Sequence, residues 1–447
     1  MRLVAVALLL LLLGLGPAAV EERSQLLDGI AAARAGDFPT ALAHLAPLAE
    51  AGDREAQYNL GLMYMAGLGV ATDHATALGL FTASADQGWA PASNSLGDMY
   101  QDGLGVALNA AEAVRYYRLA AEAGVAPAQL NLGNLLHQGR GVARDDAAAA
   151  RWYRLAAQQG LPAALFNLAN FHHRGIAVGS DDAIAARLYR LAAARGHTDS
   201  QFNLGVLYLK GEGVARDAGE AARLFRIAAE LGHIDARANL GNMFFTGDGV
   251  TRDLAKALRW YRLAADGGNV AAQNNLGNMY YLGQAVTRDF ALARVWYERA
   301  AAAGNVDAQS SLGNMAYLGH DAPPDYAAAL RWYRQAAAAQ NANAEGNLGR
   351  MYYFGHGVAR DHALARAWYA KAAARGDAFA QANLGALLAK GEGGAADKVS
   401  ALMWFLLAAA QAEPSGIAGR AVLAAELSTA QIAEAEVRAA ALGVAKR

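Results

Sequence analysis

The residues able to do chemistry in this chain are few and scattered. Histidines stand at His137, His172 and His173, and glycine pairs such as Gly103-Leu104-Gly105 punctuate the chain. Aspartates recur from Asp73 to Asp397, and arginines pair as Arg115/Arg118, Arg151/Arg154 and onward to Arg331/Arg334. His137 and His173 occupy equivalent positions of successive units, which on neighbouring helices puts them roughly 10 Å apart. That is the nearest approach to a zinc set; surface histidines are the plainer reading. The glycine pairs resemble phosphate loops, but they come after helical patterns and lack a Gly-Lys-Ser/Thr ending, so they read as turns. The aspartates return at one structural position, as helix caps do. The arginine pairs share the polar arc of one helix and read as a solvated face, with an acidic polymer or phospholipid as the sharper alternative. No nucleophile–base pair, acid pair or metal set emerges. Cysteine is absent, which removes thiol nucleophiles, thiolate metal sites and disulfides. The reading is a non-enzyme with no cofactor, no catalytic residue and no metal.

What positions these residues is a repeat. Asn59-Leu60-Gly61 returns as Ser95-Leu96-Gly97, Asn131-Leu132-Gly133 and so on to Asn383-Leu384-Gly385, at one fixed interval without drift. A fixed period in the range of about 20–50 residues marks stacked supersecondary units, each burying its apolar face only against its neighbours. The sixth copy shows the unit most plainly. Ala236, Leu240, Met243 and Phe244 fall on one helical arc, Gly247-Asp248-Gly249-Val250 turns the chain, and Asp253 caps the second helix of the unit. Leu254, Ala257, Leu258, Tyr261, Ala264 and Ala265 line that helix, closed by Gly268. The fourth copy departs with Ala169 and Ile176-Ala177-Val178. The eighth departs with Pro323-Pro324 and Gln340, where a local change in twist is expected.

These landmarks, with Trp-Tyr pairs such as Trp260-Tyr261 and Trp296-Tyr297 on the second helix, resemble the Sel-one-like repeat family, relatives of tetratricopeptide repeats. The resemblance covers residues 54–413 in ten copies. It implies an all-α fold, a right-handed α-solenoid of helix-turn-helix repeats that serves as a protein-interaction scaffold, in bacteria often exported. Some exported relatives carry a disulfide in each repeat and bind penicillin; without cysteine, that activity is not carried over. Residues 20–53 and 414–447 read as helical caps. The first has helices over 22–35 and Phe38–Glu50, with Asp37 as cap and Pro39 in the first turn. The second has Ile417–Leu427 and a helix to Leu442 opened by the capping box of Ser428 and Gln431.

Residues 1–19 read as a signal peptide. Met1-Arg2 precedes an apolar run from Leu3 to Leu15, then small residues, with cleavage near Ala18 or Ala19. The run is shorter than the ~20 residues of a comfortable span, so export to the periplasm or beyond is expected, with no membrane span afterwards. A net charge of −1 supplies no basic field for nucleic acid. A monomer is expected.

Binding candidates lie on the first helix of the later repeats. Positions equivalent to 238, 242 and 245 share an arc opposite the core, which the resemblance places in the concave groove of the solenoid. There the copies vary: Asn242 and Phe245, then Asn274, Asn278 and Tyr281, then Asn314 and Tyr317, then Arg350 and Tyr353. Asparagine can pair with both donor and acceptor of an extended backbone, and exposed aromatics supply rigid contact area. The expected ligand is a protein or peptide segment, with cell-wall glycan as the alternative. Packing between repeats is the plainer reading of the same residues.

Overall fold

The computed structural model describes residues 17–444, so the signal segment read at 1–19 lies, up to residue 16, outside them. The described residues form 24 helices and no strand. The fold class is all-α, with paired helices stacked repeat on repeat as in an α-solenoid. The chain divides into two compact units, one ending at Leu231 and the other beginning at Gly232. In the first unit, helices Pro17–Ala35 and Phe38–Glu50 precede the early repeats. In the second, Pro414–Glu426 and Thr429–Val444 come after the late ones. Ser428 and Gln431 cap the last helix reciprocally: each backbone N–H meets the other's side-chain oxygen, at 3.0 and 3.4 Å.

Local chemistry explains each repeat. The first helix of the sixth repeat runs Ile234–Thr246, two residues earlier than the apolar arc alone suggests, because the His233 ring accepts from Ala236 N and serves as the cap. The second helix opens on an aspartate whose carboxylate accepts from the first turn, Asp253 with Lys256 N and Asp289 with Leu292 N; Asn109 takes this part in the second repeat. Between the helices, glycine is required by both conformation and space. Gly213 sits at φ +67°, and a Cβ there would lie 2.1 Å from the backbone carbon of Asp182 in the preceding repeat. Ala177 and Ala285 hold the equivalent place at φ 56° and 60°, a left-handed conformation that costs a side chain roughly 1–2 kcal/mol. Gln340 likewise adopts φ 63° where other repeats have glycine.

A buried ring on the second helix holds each pair together. Tyr117, Tyr153, Tyr189, Tyr297, Tyr333 and Tyr369 are among the largest fully buried side chains. Each faces the small residue of the Asn-Leu-Gly landmark. A Cβ at Gly97 would come within 2.5 Å of the Tyr117 ring, and one at Gly313 within 2.5 Å of Tyr333. Burial of one such ring stabilises by roughly 2 kcal/mol.

Candidate functional site

The tyrosine hydroxyls reach out of the core onto the arc that carries the binding candidates. Tyr261, Tyr297 and Tyr333 donate to the Oδ1 atoms of Asn242, Asn278 and Asn314 at 2.7, 2.7 and 2.8 Å. The next repeat adds a second donor to the same oxygen: Asn275 Nδ2 to Asn242 at 3.2 Å and Asn347 Nδ2 to Asn314 at 3.0 Å. The first unit repeats the pattern at Asn134, with Tyr153 at 2.9 Å and Asn167 at 3.0 Å. Asp98 stands at the equivalent place in the second repeat and accepts from Tyr117 at 2.7 Å and Asn131 at 3.3 Å. A carboxylate only accepts, so at Asp98 both the hydroxyl and the amide donate.

The asparagine row is therefore a structural ladder first. Asn242 and Asn314 do not offer a peptide both a donor and an acceptor, because two donors already engage each carbonyl; Asn278 Oδ1 accepts from Tyr297. Among the described residues, their Nδ2 groups carry no hydrogen bond. Sequence pairs record the ladder. Phe81, Phe225 and Phe405 replace the tyrosine in three repeats, and the same repeats carry Leu62, Val206 and Ala386 in place of the acceptor. Where the hydroxyl is missing, so is its partner.

Asp98 gives this ladder a pH dependence. Burial raises its carboxyl above the ordinary value despite the Tyr117 hydrogen bond. Ionisation then costs more in the folded chain than in the unfolded one. The penalty is absent below the unfolded pKa of about 4 and complete above the raised folded value. Asp98→Asn, which supplies the residue of the neighbouring repeats, is expected to raise the melting temperature at pH 7 and leave it nearly unchanged at pH 3. Thermal melts at the two pH values check this.

The other candidates divide. Asn242, Phe245 and Asn278 come together with Tyr261 and Asn275 around a recess of about 230 Å³. Asn274 does not belong to the open face: its carbonyl is buried and unpaired, and the equivalent Ala238 is 7% exposed. These positions turn toward the packed side of the repeat, as Ser310 shows by reaching Asn343 of the next repeat at 3.4 Å. Arg350 also lies down, its guanidinium over the Tyr317 ring at 4.1 Å. The tyrosines are half-buried in clusters. Tyr281 meets the Phe290 ring edge-on at 5.3 Å and His320 at 5.3 Å, with Phe290 and His320 stacked at 4.7 Å. Tyr317 repeats this with Tyr326 and bonds the His356 ring at 2.7 Å. Tyr353 stacks on His362 at 4.9 Å. Burial raises the phenol pKa of Tyr281 and Tyr317, so both are neutral at pH 7.

Beside this row runs a strip that the helical arcs of the sequence miss. Leu282, Leu318 and Phe354, each next in sequence to a row tyrosine, are 53, 50 and 56% exposed. The equivalent residues of the first unit are Ala66, Asp102, Gln138, Arg174 and Lys210. A column that is polar from the second to the fifth repeat and carries large apolar residues through three consecutive later repeats is an exposed apolar patch of the kind that marks interaction surfaces.

The remaining polar landmarks are paired within and between repeats. Arg190, Arg262 and Arg334 donate to Tyr208, Tyr280 and Tyr352 of the adjoining repeats at 2.8, 2.5 and 3.1 Å. Arg115 and Arg223 pair within their helices with Glu112 and Glu220. His137 and His173 are not paired with each other; each meets an aspartate of its own repeat, Asp146 at 2.6 Å and Asp182 at 2.7 Å.

Comparison with known families matches the Sel1 repeat at residues 54–89, 90–125, 126–161, 162–197, 198–233, 234–269, 270–305, 306–341, 342–377 and 378–413. The chain belongs to the Sel1 repeat family. Among solved structures, it is similar to a protective antigen of uropathogenic Escherichia coli strains displaying an SLR fold. That match has 31% identity and a TM-score of 0.67, and covers 90% of this chain and 94% of that one. It is also similar to a Sel1 repeat protein from Oxalobacter formigenes, at 31% identity over 55% of this chain and 96% of that one, with a TM-score of 0.49. A comparison with curated protein sequences gave no match. Sel1 repeat proteins are generally non-catalytic scaffolds, and such repeats typically bind protein partners. Among the described residues, no helix is long and apolar enough to cross a membrane.

Proposed function

We propose that this Sel1 repeat chain is an exported, non-enzymatic scaffold that captures extended protein segments along the first-helix face of its second unit. The observation that carries the reading is the strip of Leu282, Leu318 and Phe354, exposed in register beside Tyr281, Tyr317 and Tyr353. Apolar side chains of a partner segment would seat on the strip. The free Nδ2 donors of Asn242, Asn278 and Asn314 would meet its backbone carbonyls.

The glycan alternative fits this surface less well. Sugar rings stack on open aromatic faces, whereas Leu282 and Leu318 are aliphatic and the faces of Phe290 and Tyr326 are covered by His320 and His356. Export is supported by Met1-Arg2, the apolar run from Leu3 to Leu15 and the small residues after it.

The test is a selection of unstructured peptides displayed on phage, run beside titration with soluble peptidoglycan fragments. Recovery of peptides with regularly spaced apolar residues that compete with one another supports the reading. Saturable binding of the fragments with no peptide recovered overturns it. N-terminal sequencing of the chain from its native cell accompanies this: a start near Ala18–Ala19 supports export, and an intact Met1 contradicts it.

A further inference from the structure

We propose that His173, Asp182 and Glu212 form a zinc-binding site where the fourth repeat meets the fifth. One ligand atom from each lies within 4.8 Å of the other two. The three come from separate segments of the first unit. His173 is in the last turn of helix Pro162–Arg174, Asp182 opens helix Asp182–Ala193, and Glu212 lies in the turn after helix Thr198–Lys210. One imidazole and two carboxylates are a donor set that zinc accepts, with water completing the shell. Bonds of about 2.0–2.1 Å around a tetrahedral ion place ligand atoms roughly 3.3 Å apart. The widest pair therefore closes by up to about 1.5 Å while the His173–Asp182 pair opens slightly from 2.7 Å, shifts that half-exposed side chains make by torsions.

The convergence belongs to the fold. The same three register positions meet in the seventh repeat as Tyr281, Phe290 and His320 and in the eighth as Tyr317, Tyr326 and His356, with ring centroids from 4.7 to 5.6 Å apart. In the fourth repeat the chain places a complete set of metal donors at that point. The third repeat supplies the contrast. It has His137 and Asp146, but Ile176 stands where the third donor would be, and Arg144 holds the Asp146 carboxylate at 2.7 Å. In the fourth repeat Ser180 replaces that arginine, leaving the Asp182 carboxylate to its contact with His173. The competing cation is Lys210, whose ammonium lies 3.6 Å from Glu212 on an exposed stem and can swing away. A bound ion would tie three segments across a repeat boundary, next to the strained turn at Ala177.

The experiment is calorimetric titration of the untagged full chain with Zn²⁺ alone in a non-coordinating buffer. One saturable equivalent is expected. His173→Ala and Glu212→Gln should each weaken it by at least about 10–100-fold, with circular dichroism unchanged because both side chains are half-exposed at the surface. Lys210→Gln should tighten binding several-fold. His137→Ala should leave it unchanged. Absence of saturable binding, undiminished binding by His173→Ala, or equal loss with His137→Ala would overturn the site.

Discussion

Tyr333→Ala is expected to lower the free energy of unfolding by about 4 kcal/mol, near the top of the range for emptying a fully buried aromatic seat. The ring is 0% exposed, and Gly313 is shaped around it, so neighbouring side chains have little freedom to refill the space. Tyr333→Phe keeps the ring and removes one hydrogen bond, for about 1 kcal/mol. Asn314→Leu is the harsher polar change. It leaves the Tyr333 hydroxyl without its acceptor, while the Asn347 amide keeps its bond to Asn343 at 2.8 Å, a cost of about 1–3 kcal/mol. In the double variant Asn314→Leu/Tyr333→Phe the orphaned hydroxyl disappears. The loss should then fall at least about 1 kcal/mol short of the sum of the two single changes, as for residues in one network. The chain already uses that apolar pairing as Leu62 with Phe81 and Val206 with Phe225. Denaturant titrations of the four variants and the parent check the whole set. Strict additivity would mean that the hydroxyl and the asparagine act independently.

Much of this fold is legible in the sequence because its determinants are local and recur. Asp253 and its counterparts cap helices wherever they stand, and the turn glycines mark positive φ whatever surrounds them. The site was harder to read, for a geometric reason. A helical wheel treats each helix alone, whereas the first helix of a repeat is covered both by its own second helix and by the next repeat. Position 238 and its counterpart Asn274 look open on the wheel and are closed by that second contact. The ladder was likewise hidden from any single repeat, since Asn242 has its two donors on two other helices. Comparing repeats would have revealed it through the matched loss of hydroxyl and acceptor at Phe225 and Val206. Comparison would also have exposed the strip. The change from Gln138, Arg174 and Lys210 to Leu282, Leu318 and Phe354 is plain once the columns are aligned, although it falls at helix ends, where periodicity is weakest.

The surface that best tests the scaffold reading is the strip rather than the tyrosine row, because the tyrosines also hold the stack. Leu282→Ser, Leu318→Ser and Phe354→Ser in one chain alter exposed side chains, and each should change stability by no more than about 0.5 kcal/mol. If the strip anchors the partner segment, each position contributes on the scale of interface hot spots, about 1–2 kcal/mol. Two such anchors already amount to roughly a 30-fold loss of affinity. The direct measurement is the dissociation constant of a peptide selected on the parent chain, determined for the parent and the triple serine variant at matched thermal stability. Binding should weaken by at least about 30-fold with an unchanged melting temperature. An unchanged dissociation constant would contradict this and remove the strip as the docking surface.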